Sequence, residues 1–312
     1  MSERHVVVGA GPVGLTTAEL LVEQGKDVVL VSRSGAGPDL AGVRREAADV
    51  ADAGRLAELA EGAAVLYNCV NPPSYTVWPT FWPPVAAAFL EAAEQSGAVL
   101  VTAAALYPYG PVDGGRMVEG MPDAATTKKA LIRGGMWADA KRLNDAGRIK
   151  AVEVRGSDYV GPRVPTATGH IARVAPAALN GKTVYVFGSP DQPHSFTDIR
   201  DMARALVRVG GEPSAWGRIW HAPTNPAKTQ TQVLQDVAAS VGRTIGKVRS
   251  MPHVLLSVGG AVVPVLRELR ETEYQFAAPY VLDSSDIEKT FGLAPTPWDE
   301  VCRATAENAL AS

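Results

Sequence analysis

The chain has 312 residues, 46% of them hydrophobic, enough to bury a substantial core as one large domain or as a domain with an appended lobe. Its 30 basic residues stand against 33 acidic ones for a net charge of −3, with no Lys/Arg cluster, which excludes the electrostatic footprint of a nucleic-acid binder. Two cysteines, Cys69 and Cys302, make neither a disulfide framework nor a metal cluster, and no apolar run reaches membrane-spanning length.

The first predicted element is a strand over Val6 to Val8, entered so early that no signal peptide precedes it, so a cytoplasmic location is expected. A glycine-rich turn follows, Gly9-Ala-Gly11-Pro12-Val13-Gly14, then a helix with Leu15, Ala18, Leu21 and Val22 at helical spacing, and a second strand over Val28 to Val31. The GxGxxG pattern is short, but here it lies between a strand and a helix, as a dinucleotide site requires. Gly9 permits the sharp turn, Gly11 lets the backbone approach a pyrophosphate, and Gly14 allows close helix–strand packing; the helix from Pro12 offers its N–H groups to the phosphates.

The end of the second strand selects the nucleotide. An NAD site usually places a carboxylate there for the ribose 2′-hydroxyl, whereas this chain has Ser32-Arg33-Ser34 and no acidic residue before Asp39. A guanidinium can bind a 2′-phosphate through paired hydrogen bonds, so NADP(H) is expected in preference to NAD(H). The plainer alternative is a solvated surface arginine.

Further along, Val43 to Ala47 is a predicted third strand, followed by Asp49-Val50 and a helix over Ala53 to Glu61. Ala64 to Val70 is a fourth strand, ending near Asn68 and Asn71. Cys69 on it is expected to be an inert core thiol. The segment from Asn71 to Pro84 reads as a stiff aromatic loop that places Trp78 either against a substrate pocket, over the next helix (Val85 to Gln95) or in a subunit contact. Val99 to Thr102 is the fifth strand. This alternation specifies an α/β fold, a Rossmann-type doubly wound parallel sheet with ligands at the carboxyl ends of its strands.

These features are similar to the extended short-chain dehydrogenase/reductase superfamily, the NAD(P)-dependent epimerase/dehydratase-like proteins, and in particular to an atypical branch of it. The resemblance rests on Gly9 to Gly14, Ser32-Arg33-Ser34, Asp49-Val50, Asn68-Cys-Val-Asn-Pro-Pro73, Leu106-Tyr-Pro-Tyr-Gly-Pro111, Thr127-Lys-Lys129 and Arg155-Gly-Ser-Asp-Tyr-Val-Gly-Pro162. It implies a nucleotide-binding domain over 1–165 and a smaller substrate lobe over 166–312 that is interwoven with it. It also implies proton transfer by a tyrosine four residues before a lysine, with a Ser/Thr orienting the substrate oxygen.

The residues depart from that pattern. With Lys129 as the family lysine, the tyrosine position holds Ala125, and Ala105 stands where the serine is expected, leaving Thr102 as the nearest hydroxyl. Three readings remain. Tyr107 or Tyr109, on the turn leaving the fifth strand, can serve as a displaced acid with Lys129 as the nearby cation. Otherwise the protein binds NADP(H) without hydride transfer, as a sensor, or uses the fold for cyclase or lyase chemistry. The first is preferred: an oxidoreductase or epimerase-like enzyme acting on a small carbonyl or alcohol.

A helix is expected over Ala124 to Ala146 despite Gly134-Gly135, and a strand over Lys150 to Arg155. The loop after it carries Tyr159 and Arg163, which the resemblance places toward the substrate, with Arg163 either an anion ligand or a plain surface charge; His194 is either a further substrate contact or a histidine hydrogen-bonded in a turn. Shorter elements follow: helices over 169–179, 199–209 and 229–241, and strands over 184–187 and 218–220. The spacing of His170, His194, His221 and His253 fits no metal site. A helix over Val262 to Phe276, after a Gly259-Gly260 hinge, can hold a second copy in a homodimer. A small-molecule substrate is the expected partner, with neither nucleic acid nor membrane, and a homodimer is the alternative to a solvated face on that helix.

Overall fold

The computed structural model describes residues 2–72, 74–124, 126–251 and 271–311. Ala125, the hinge at 259–260, His253 and most of the helix expected over 262–276 lie outside these residues. The first half alternates strand and helix: β1 (Arg4–Val8), α1 (Pro12–Glu23), β2 (Asp27–Ser32), β3 (Val43–Ala47), α2 (Ala53–Ala60), β4 (Ala63–Asn68), α3 (Trp78–Ser96) and β5 (Val99–Ala105). Then come β6 (Arg116–Met117), α4 (Lys128–Asp145), β7 (Lys150–Gly156) and β8 (Asp158–Val160).

One seven-stranded sheet results, in the order β11-β7-β5-β4-β1-β2-β3, with every neighbouring pair parallel. Alternate residues of each strand face opposite layers. Val6, Val8, Val29, Val31, Leu66 and Leu100 pack beneath α2, α3 and α4, whereas Val7, Val28, Leu30, Val65, Val101 and Val154 pack against α1 and α6 (Ile199–Gly210). The near-continuous Val/Leu composition of these strands follows from burial on both faces.

The strand β11 (Ile219–His221) returns to the sheet edge beside β7, so chain beyond residue 165 completes the central sheet. The remaining described elements are α5 (Ala175–Leu179), β9 (Val184–Val186), β10 (Phe196–Asp198), α7 (Gln230–Ala239), β12 (Val248–Ser250), α8 (Tyr274–Ala277), β13 (Val281–Leu282), α9 (Ser285–Phe291) and α10 (Trp298–Leu310). A third apolar cluster, including Ile171, Leu179, Val184, Phe196, Val233, Leu234 and Val301, holds α5, α7 and α10 together. Among the described residues no helix is long and apolar enough to cross a membrane.

Two expectations change. The aromatic segment is a helix from Trp78, not a loop, with Pro79 in its first turn and Pro83 and Pro84 inside it. Proline forfeits a helical hydrogen bond. Here Trp78, Trp82, Val85 and Phe89 form one buried stripe, and burying that apolar area outweighs the two missing N–H groups. The helix expected from Gly169 is confined to Ala175–Leu179. In contrast, Gly134-Gly135 leave α4 unbroken: a Cβ at Gly134 would lie 3.3 Å from the Asp123 carboxylate, so the glycine admits the neighbouring loop.

Candidate active site

All seven strands of the sheet run parallel, so their carboxyl ends share one edge. Gly9 follows β1 with φ +111°, and a side chain there would come within 2.6 Å of the Cys69 carbonyl oxygen. A Cβ on Gly14 would reach the Gly9 carbonyl oxygen itself, so the turn closes only with glycine at that position. Gly11 differs: a Cβ there meets nothing within 4 Å. Gly11 is also the N-cap of α1 and supplies no side-chain cap, with Pro12 and Val13 opening the first turn. An open backbone before an uncapped helix N-terminus fits a pyrophosphate.

At the next strand end, Ser32 donates to the Ala36 carbonyl (3.0 Å) and the Ser34 hydroxyl accepts from the Ala36 N–H (3.3 Å), shaping the turn that exposes Arg33. Asp49 is exposed after β3 and accepts from the Ala51 N–H, while Val50 packs on the apolar layer. Asn68, the buried last residue of β4, accepts from the Val70 N–H, and Asn71 is exposed beyond it.

Tyr107 follows β5 closely, and its hydroxyl lies 2.8 Å from that of Tyr75, which stands on the chain leaving β4. Both rings contact the Trp78 indole, at 5.9 and 5.1 Å between centroids. Burial pushes both phenols up, Tyr107 well above its ordinary value, so each keeps its proton at neutral pH. Lys129, at the start of α4, is 2% exposed; its Nζ donates to Glu271 Oε2 at 2.6 Å and lies 4.9 Å above the Tyr75 ring. The Lys129 backbone N–H donates to the other oxygen of the same carboxylate (2.9 Å).

Several expected site residues lie elsewhere. Tyr109 is fully buried; its hydroxyl pairs with His221 Nε2 at 2.8 Å and its ring lies beneath the Arg155 guanidinium. It packs the core beside β7 and is not a displaced acid. Lys129 has Glu271 as its ion-pair partner, and its ammonium faces the Tyr75 ring rather than either of the two phenols expected. Thr102 sits inside β5 rather than at its end, on a cavity of about 20 Å³ with Asn68 and Glu153. Trp78, 4% exposed, is a core residue that supports the two tyrosines from behind. Arg163 turns to Glu19 on α1, making two hydrogen bonds of 2.5 and 2.8 Å, so it is held on the outside of the sheet.

His194 is 1% exposed and stands behind Asp158. Its Nδ1 lies 3.0 Å from the Gln275 carbonyl oxygen and its Nε2 2.8 Å from Asp158 Oδ2. Burial alone would raise the Asp158 carboxyl, but the hydrogen bond and charge of His194 hold it below its ordinary value. Tyr159, beside it on β8, packs between the sheet core and Val164, Ala172 and Ile199. Sequence reasoning passed over Tyr75, Asp158 and Glu271. The signal for Tyr75 was present in the i, i+4, i+7 spacing of Trp78, Trp82 and Val85, which makes a helix of that segment and fixes where the preceding tyrosine points. Nothing in the sequence indicated that Glu271 meets Lys129 across 142 positions.

Comparison with known proteins decides the family. The profile of the NAD dependent epimerase/dehydratase family matches residues 5–220. The chain belongs to this family. Solved structures with the same fold include a UDP-glucose 4-epimerase from Thermus thermophilus in complex with NAD (TM-score 0.78, 21% identity, 99% of each chain covered). Others are a dTDP-glucose 4,6-dehydratase from Bacillus anthracis in complex with NAD (0.80, 14%, 100% of this chain and 97% of that one) and a UDP-glucose 4-epimerase from Brucella ovis in complex with NAD (0.78, 16%, 99% and 98%). A search of curated proteins finds no match.

Proposed function

We propose that the chain is an NADP(H)-dependent oxidoreductase or epimerase-like enzyme acting on a small carbonyl or alcohol, with a catalytic set that lacks the usual serine and tyrosine. The observation that carries this reading is the open face of Gly11 at the uncapped start of α1, on the same sheet edge as Tyr107. A bound nicotinamide would supply or accept the hydride. Gly9, Gly11 and Gly14 with Pro12 and Val13 would hold the pyrophosphate, and Asp49, Val50, Asn68 and Asn71 would flank the nucleotide. The exposed Arg33 has no ion pair among the described residues, and Ser32 and Ser34 stand beside it. This set supports preference for a 2′-phosphate.

The Lys129–Glu271 pair favours a second reading, an NADP(H)-binding sensor without turnover, because the ammonium that would hold the nicotinamide ribose already has a carboxylate partner. Turnover separates the two. Purified protein with NADPH and a panel of aldehydes and ketones should oxidise NADPH, followed by absorbance, and Lys129→Ala should reduce that rate. Nucleotide binding without oxidation across the panel would favour the sensor.

A further inference from the structure

Building on the oxidoreductase reading, we propose that Tyr75 and Tyr107 act together as the proton donor of this site, in place of the single tyrosine that the chain lacks. The two hydroxyls are 2.8 Å apart and arrive from different strand ends, Tyr75 on the chain after β4 and Tyr107 after β5. Tyr75 and Tyr107 are each half-buried as residues. Trp78 packs against both, which fixes their separation without competing for their hydroxyls.

Two phenols hold two protons and share one hydrogen bond, so one O–H remains to donate to a substrate oxygen. When a hydride adds to a carbonyl carbon, the π pair moves to oxygen, which takes the proton from Tyr107. The phenolate so formed takes the proton of Tyr75, and Tyr75 recovers one from water. Because burial raises both groups, neither is a phenolate beforehand, and the pair acts as acid rather than base in the direction of reduction. The Lys129 ammonium, 4.9 Å above the Tyr75 ring, is attracted more strongly as that ring gains negative charge, which favours passing the charge from Tyr107 to Tyr75. Tyr109 takes no part, since His221 holds its hydroxyl.

The pair can be tested without knowing the substrate, using para-nitrophenolate as a chromophoric oxyanion. Its visible band shifts when its oxygen accepts strong hydrogen bonds. Protein saturated with NADP⁺ should bind the anion with such a shift. Tyr107→Phe should abolish the shift and weaken binding at least tenfold, and Tyr75→Phe should weaken it severalfold while keeping part of the shift, in the range of one lost charge-assisted hydrogen bond and one lost supporting bond. Thermal unfolding of each variant confirms that the fold is retained, and a variant that fails this check is replaced by Tyr→Met at the same position. Absence of binding to the unsubstituted protein, or equal affinity in the Phe variants, would overturn the pair. Failure of NADP⁺ itself to bind would overturn the oxidoreductase reading and the pair with it, whereas nucleotide binding with no phenol dependence overturns the pair alone.

Discussion

Arg155 shows how much the core depends on single buried charges. It is fully buried on β7, with Nε on Glu153 (2.8 Å), two bonds to Asp123 (2.6 and 3.2 Å) and its guanidinium 4.5 Å from the Tyr109 ring centroid. Burial pushes the Glu153 carboxyl up, and Arg155 is the first influence that pulls it back. Arg155→Met leaves Glu153 without that partner, and denaturant unfolding should show a loss of about 3–5 kcal/mol, the usual cost of breaking one side of a buried ion pair. A loss below roughly 1 kcal/mol would mean that Glu153 takes up a proton at little cost. Arg33 is the opposite case, exposed and outside the core. Arg33→Asp should leave unfolding unchanged and weaken NADPH more than NADH. An equal effect on the two nucleotides would refute its assignment to the 2′-phosphate.

At the scale of elements, α3 carries two tasks on one stripe. Trp82 is fully buried against the sheet and receives the Arg133 guanidinium 4.7 Å from its ring, while Trp78, one turn earlier, supports Tyr75 and Tyr107. Trp82→Ala removes the larger anchor of a helix already short of two N–H groups, and a loss of about 3–5 kcal/mol is expected in denaturant unfolding. Loss of less than about 1 kcal/mol would show that the stripe is not what holds α3. This element was the least legible in the sequence, because proline statistics indicate a loop whereas the apolar spacing indicates a helix, and tertiary burial decides between them. The boundaries of β3, and those of α2 to one residue, match the expected ones, and Asp52 caps α2 by accepting from the Arg55 N–H. The site was legible only in part. Local spacing carried the glycine turn and Tyr107, whereas Tyr109 and Arg163 acquire their surroundings from His221 and Glu19, positions that no local pattern connects to them.

Across the whole molecule, buried imidazoles link stability to pH. His221 on β11 donates from Nδ1 to the Asp283 carbonyl and therefore accepts at Nε2 from Tyr109. Burial, only partly offset by that carbonyl, lowers it from 6.5 to about 4. The unfolded chain thus takes up a proton near pH 6.5 that the folded chain refuses until about 4. Its contribution is complete above the higher value and falls away as pH drops toward the lower one, by up to roughly 3 kcal/mol. His221→Asn should flatten the acid side of the stability profile by one proton relative to the unsubstituted protein, measured by denaturant unfolding between those limits. Parallel profiles would show that His221 is protonated in the fold.

Every role assigned to this sheet edge requires a nucleotide at the turn after β1, and Gly11 tests that most directly. A Cβ there meets no protein atom within 4 Å, so Gly11→Ala should leave thermal unfolding nearly unchanged. Calorimetric titration of ligand-free protein with NADPH, NADP⁺, NADH and NAD⁺ should show binding, tighter for the phosphorylated pair, and Gly11→Ala should weaken all four by tenfold or more. Absence of binding in the unsubstituted protein, or full affinity in the alanine variant, would contradict the claim that this turn holds the pyrophosphate.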